Sequence, residues 1–186
     1  MPEAVIAVPD YVAGTWDIDV NHSHVGFVAR HLMVSKVRGS FLKFEGEIHT
    51  AENPLESTAT VTIEMGSFSS GNEMRDNDVK GENFLDVANH PTMTYRSTSV
   101  RPDGDGYIVD GDLTIKGVTH PVGLSVELNG FGPDPYGGTR VGISATGEIN
   151  RNDYGITANM VLPTGGVMVS EKIQLIIEIE ASLRTS

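Results

Sequence analysis

The chain contains no cysteine. That excludes disulfides, thiolate nucleophiles and cysteine-based zinc sites, and it leaves the redox compartment open. Positive charge is also scarce: 13 Lys and Arg stand against 25 Asp and Glu, for a formal net charge of -12. A chain so charged repels phosphate backbones and anionic membrane surfaces, so no nucleic-acid partner is expected. The acidic residues are spread thinly and read as a solvated surface. No apolar run is long enough for a membrane-spanning helix, so no transmembrane segment is expected. The opening MPEAVIAVPDYVAG has neither the cationic start nor the long apolar core of a signal peptide, which predicts a cytoplasmic location. The G-x-S-x-G elbow, the P-loop and the dinucleotide-binding glycine pattern are all missing, so no catalytic residue and no cofactor is assigned.

What the chain does have is period two. Val25, Phe27 and Ala29 alternate with more polar neighbours, as do Leu42, Phe44, Gly46 and Ile48, and Ala59, Val61, Ile63 and Met65. Longer runs follow at Tyr107 to Ile115, Val122 to Leu128, Val141 to Ile149 and Ile173 to Ala181, with a shorter one at Met93 and Tyr95. One apolar and one polar face per strand is the pattern of antiparallel sheet buried on one side. The clusters AENPLES, RPDGDG, GPDPYGG and NRNDYG supply turn residues between the runs. Eight or nine strands at this spacing predict one all-β domain, a sandwich or a barrel, and an antiparallel barrel of about eight strands is just wide enough for side chains or one slim ligand. Small residues recur on the apolar faces: Ala29, Gly46, Ala59, Gly111, Ala145 and Gly147. They either leave room inside or relieve crowding.

Two stretches break the alternation. His31 to Gly39 suggests a short helical turn. Ser69 to Pro91 predicts one or two turns of helix, with Ser70 and Glu73 spaced as a capping box and Phe84 and Leu85 as apolar anchors. Three of the six histidines fall in DVNHSHVGFVARH. His22 and His24 point the same way if that stretch is extended, and a His-x-His pair can begin a metal site. On that alternative the protein is a metal-dependent hydrolase or isomerase using His22 and His24. No third ligand has a compelling spacing, so no metal is assigned and polar structural roles stand beside the metal reading. For Arg75 and Asp76 a loop-fixing role stands beside contact with an anionic ligand group.

The segment GTWDIDVNHSHVGFVARHLMVSKVRGSFLKFEGEI resembles the opening of the YceI-like family, the lipocalin-like polyisoprenoid-binding proteins, through Trp16, Asp19, His22, Phe27, His31, Gly39 and Phe41. SFSSGNEMRDNDVKGENFLD resembles the family's arginine-aspartate loop, GDLTIKGVTHPVGL its characteristic strand and turn, and INRNDYGI its arginine-aromatic-glycine corner. Two departures are visible: Asp78-Val79 where the family usually has His-Leu, and Val169-Ser170-Glu171 in place of a glycine-aspartate turn. The resemblance implies an extended, lipocalin-like eight-stranded antiparallel barrel with one or two short helices, over residues 14–182. Residues 1–13 form an N-terminal extension and 183–186 a tail. It also implies non-enzymatic binding, storage or transport of an isoprenoid-like or fatty amphiphile. Phe27, Leu42, Phe44, Ile63, Met65, Tyr95, Leu113 and Ile143 are then expected to line the tunnel, with His31, Arg38, Arg75 and Asp76 at its mouth. A free strand edge would let two copies pair as a homodimer.

Overall fold

The structure, a computed structural model, describes residues 8–32, 34–157 and 169–185. Its elements are β1 (Gly14–Ile18), β2 (His24–His31), β3 (Ser35–Phe41), β4 (Phe44–Thr50), β5 (Thr58–Glu64), β6 (Phe68–Ser69), α1 (Glu73–Lys80), β7 (Thr92–Asp103), β8 (Gly106–Ile115), β9 (Val118–Pro133), β10 (Thr139–Asn150) and β11 (Lys172–Leu183). All pair antiparallel in one sheet. From β7 onward each strand lies beside its successor. The alternation read from the sequence sets their inward faces: Tyr107, Gly111, Leu113 and Ile115 of β8 are buried, as are Val122 and Leu124 of β9. The β8–β9 reversal takes two residues, Lys116 and Gly117, both at positive φ (53° and 74°), the geometry whose twist matches a two-residue hairpin.

The first strands are each broken in two. β1 and β2 are halves of one bent strand, separated by a 3-10 turn at Val20–His22. β3 and β4 are separated at Leu42 and Lys43, and β5 and β6 by a 3-10 turn at Met65–Ser67. β1 pairs with β4 and β4 with β5, while β2 pairs with β3 and β3 with β6. The three breaks therefore form one crease across the sheet. Leu42 N–H donates to Ser67 C=O (3.1 Å) and Glu64 N–H to Lys43 C=O (2.9 Å), so the chain stays hydrogen-bonded across it. Counting each broken pair as one strand gives eight, and the β1–β11 pairing closes them into a barrel.

β11 makes that closure by serving two partners along one edge. Its residues 174–178 pair with β2 and 181–183 with β1. Between them the ladder is repaired by a side chain. Ser23 Oγ donates to Glu180 C=O (3.2 Å) and accepts from Glu180 N–H (3.0 Å), and Asp19 N–H also donates to Glu180 C=O (2.8 Å).

Two expectations need correction. His31 to Gly39 is no helical turn: β2 and β3 form a hairpin across it, with Leu32 at φ 54° and Val34 N–H donating to His31 C=O (3.2 Å). The predicted helix exists as α1, but Asn72 caps it by accepting from Arg75 N–H (3.0 Å). Ser70 instead accepts from Arg75 Nε (2.8 Å), and its backbone N–H donates to Asp76 Oδ1 (2.9 Å).

Trp16 packs at the β1 end of the barrel with Val141 and Ala181, all fully or almost fully buried. Phe131 meets its ring edge-on at 5.5 Å, and Tyr11 meets Phe131 at 5.3 Å. The indole N–H donates to Thr50 Oγ1 (2.8 Å), which in turn donates to Val12 C=O (2.8 Å). Thr50→Val keeps the shape and strands that buried N–H, a loss of about 1–3 kcal/mol. The urea midpoint should fall accordingly, followed by the fluorescence of Trp16, the single tryptophan.

Candidate functional site

A cavity of about 710 Å³ runs through the barrel. Its middle is walled by aliphatic and aromatic side chains from successive strands, among them Phe27, Val61, Ile63, Tyr95, Leu113, Leu124, Ile143 and Leu175. Several of these are only half-buried because the cavity leaves one side of each uncovered. At one end it reaches Tyr11, Pro54 and Ser57; at the other, α1, Arg30, His31 and Arg151. Among the described residues, Asn72, Met74 and Asp78 line the α1 end and are exposed, which opens that end, the mouth, to solvent.

The small residues divide into two groups. Ala29, Ala59 and Ala145 lie on the cavity wall and widen it. Gly111 serves a neighbour: a Cβ there would sit 2.5 Å from the Tyr95 ring, which crosses that position. The Tyr95 hydroxyl donates across the sheet, 3.1 Å from Val122 C=O and 3.3 Å from Val109 C=O. Burial pushes the Tyr95 phenol up to about 12, so it stays neutral. Gly39 likewise makes room for Phe27 and Phe68, which with Phe41 form an aromatic trio with centroids 5.5–6.2 Å apart.

Of the residues expected at the ligand, Phe27, Ile63, Met65, Tyr95, Leu113 and Ile143 line the cavity, and so do His31 and Arg75 near the mouth. Four are placed elsewhere. Leu42 sits in the crease and is 61% exposed, because the break at Leu42 and Lys43 cuts the alternation that seemed to run through it. Phe44, the first residue beyond the crease, is buried in the core rather than on the cavity wall. Arg38 pairs with Val28 on the outer face of the β2–β3 hairpin. Asp76 is held by Ser70. Arg75 and Asp76 thus fix the loop before α1 through a shared serine, and two of the Arg75 nitrogens are committed to Ser70.

Phe41 and Phe68 were missed as wall residues; so was Arg151. This arginine is buried, and its guanidinium donates to the carbonyls of Ser170 (2.9 Å), Ile156 (2.6 Å) and Val169 (3.1 Å). It ties the corner at Arg151–Tyr154 to the chain entering β11, with Gly155 in the left-handed region (φ 75°) to end the turn. Tyr154 next to it is buried against His120, its phenol pushed up to about 12 by burial. Among the described residues Tyr154 Oη has no hydrogen-bond partner.

The histidine pair does not converge. His22 lies in the 3-10 turn with Nδ1 2.8 Å from Asp19 Oδ2, while the His24 ring lies over Gly26 at the start of β2. Among the described residues, the cluster of potential metal ligands is Asp19, His22 and Glu180, without His24. Its carboxylates already meet a cation: Arg140 Nη1 lies 2.8 Å from Asp19 and 3.1 Å from Glu180. This set pins β10 and β11 to the bend between β1 and β2.

A YceI-like domain model matches residues 16–181. A UPF0312 protein of Yersinia pestis (strain Pestoides F) is 37% identical over 172 residues, spanning 91% of this chain and 86% of the relative. The crystal structure of Burkholderia cenocepacia BcnA superposes with a TM-score of 0.77 at 24% identity, over 88% of this chain and 98% of the other. A polyisoprenoid binding domain from Saccharophagus degradans, implicated in plant cell wall breakdown, shares the fold at a TM-score of 0.65 and 16% identity, over 93% of this chain and all of the other.

The Arg140 guanidinium, aided by His22, holds the Asp19 carboxyl down at about 2 against its ordinary 3.8. A depressed carboxyl stabilises the fold fully above the ordinary value, and the contribution is lost as pH falls through the depressed one. Urea midpoints should therefore fall more steeply between pH 4 and 2 in the wild type than in Asp19→Asn. Parallel curves would remove Asp19 from the seam.

Proposed function

The chain belongs to the YceI-like domain family, and from the apolar cavity through its barrel we propose that it is a non-enzymatic carrier of one long-chain amphiphile of the isoprenoid class. The observation that carries this reading is the cavity itself. Its volume of about 710 Å³ falls within the ordinary range for small-molecule sites. At roughly 30 Å³ per methylene-sized group, that is room for roughly two dozen heavy atoms. A chain of about a dozen buried carbons gains roughly 9–10 kcal/mol at about 0.8 kcal/mol per methylene, before the cost of association. The stacked rings of Phe27 and Phe68, with Phe41 edge-on to Phe68, stand beside the aliphatic strands and suit a branched, partly planar tail. That a domain of the same fold is described as polyisoprenoid-binding supports the same cargo class.

The charged side chains of the lining, Arg30, Arg75, Asp78 and Arg151, all lie at the mouth. His31, Asn72, Arg75 and Asp78 are the side chains a head group would meet there. Because Arg75 is already bonded to Ser70, it tunes the head group and adds little affinity. The tail dominates, so selectivity among long apolar chains is broad.

Native mass spectrometry of protein from its own host, with organic extraction and metal analysis of the same sample, tests the reading. One amphiphile per chain without stoichiometric metal is expected; stoichiometric metal without lipid would overturn it. Val61→Trp, which pushes an indole into the middle of the tunnel, should weaken tail binding at least about tenfold, as expected for displacing two or more methylenes. Arg75→Ala should cost no more than about threefold. Equal losses would mean that the tail does not dominate.

A further inference from the structure

The β2–β3 hairpin differs in charge from the rest of the chain. From Val20 to Phe44 there is no acidic residue, although the whole chain carries a net charge of -12. Arg30 pairs with Lys36 and Val28 with Arg38, so Arg30, Lys36 and Arg38 share the outer face of the hairpin. All three are exposed, and among the described residues none of them forms an ion pair. Like charges set directly opposite each other across two strands are unfavourable. An arrangement of this kind suits an anionic partner.

The tip adds an apolar element. Val34 is 85% exposed, and Leu32 holds a positive φ of 54° that is costly for a leucine. The hairpin also borders the mouth of the cavity, because Arg30, His31 and Val37 line it together with Met74 of α1, which is 77% exposed. The acidic side chains of this end, such as Asp78 and Glu171, belong to α1 and to the segment before β11 rather than to the hairpin.

We propose that the β2–β3 hairpin docks the mouth of the barrel onto an anionic lipid bilayer, with Val34 entering the interface and Arg30, Lys36 and Arg38 meeting lipid phosphates. A cation at such a surface contributes roughly fivefold in partitioning, so three give about a hundredfold. The attraction falls off within a Debye length and weakens as salt rises. The acidic body is repelled by the same surface, so the protein approaches hairpin first. A short apolar tip and a few charges hold it reversibly, which a carrier that must leave again requires. The docking rests on the carrier reading for its purpose, but not for its test.

Flotation with vesicles of neutral phosphatidylcholine, and with vesicles one-third phosphatidylglycerol, gives the measurement. The wild type should bind the anionic vesicles at least tenfold better at low salt and release them at high salt. Val34→Asp and the double change Lys36→Glu with Arg38→Glu should each lose at least tenfold of that binding, with unchanged melting and tail binding. Tyr136→Asp, at the opposite end and 92% exposed in the wild type, should bind as the wild type does. Equal binding to both vesicle types, or an equal loss on Tyr136→Asp, overturns the docking. Absence of vesicle binding overturns it too and leaves the hairpin to a protein partner. A wild type that holds a tail but ignores anionic vesicles leaves the carrier standing, whereas one that floats but holds no tail leaves only the docking.

Discussion

Everything in this barrel depends on one strand edge doing two jobs. The edge of β11 opposite β10 must pair with β2 near the mouth and with β1 at the far end, although those two strands are separated by a bend of five residues. A bend in a ladder leaves backbone groups that need partners, and burying them unpaired is costly. Ser23 resolves this by giving its hydroxyl to both the N–H and the C=O of Glu180. Arg140 reaches from β10 to the carboxylates of Asp19 and Glu180, and Arg184 beyond β11 pairs with Asp17 and Glu47. The polar stretch around His22 is thus the splice that lets the sheet close.

Closure then determines what the interior can be. An eight-stranded barrel is narrow, and its inward residues decide between a packed core and a lumen. Here both occur. Trp16, Val141 and Ala181 pack as a solid cluster beside β1, whereas alanines at positions 29, 59 and 145 stand on the cavity wall and leave room. Inward glycines behave differently, because the space at Gly111 and Gly39 is taken by the rings of Tyr95 and of Phe27 and Phe68. The crease carries β2, β3 and β6 over the lumen near α1, so the aromatic trio and the basic hairpin both arise from the same bend.

The resulting molecule separates its tasks in space. In the proposed carrier, affinity for a tail would reside in the apolar wall, tuning of a head group in the loop fixed by Ser70, Arg75 and Asp76, and contact with an anionic surface in the hairpin. Each task uses a different interaction: area burial, hydrogen bonding and long-range charge. The hairpin carries both wall residues, Phe27 and Phe41, and outward cations, Lys36 and Arg38, so only changes on its outer face leave the wall untouched.

By itself the sequence determined the fold class and the strand faces from β8 onward, and through those faces which side chains turn inward. Period two dictates which side chains point inward, and closure of a sheet with one apolar face puts them inside. It also carried the family resemblance through its arginine and glycine corners. Only the tertiary structure decided where the first strands break. Leu42 and Phe44 share one unbroken alternation in the sequence, yet the crease sends Leu42 to solvent and Phe44 into the core. The partners of Ser23, Asp19 and Arg140 were invisible for a related reason. Ser23 meets Glu180 157 positions away, and Asp19 meets Arg140 121 positions away, contacts that no local pattern encodes.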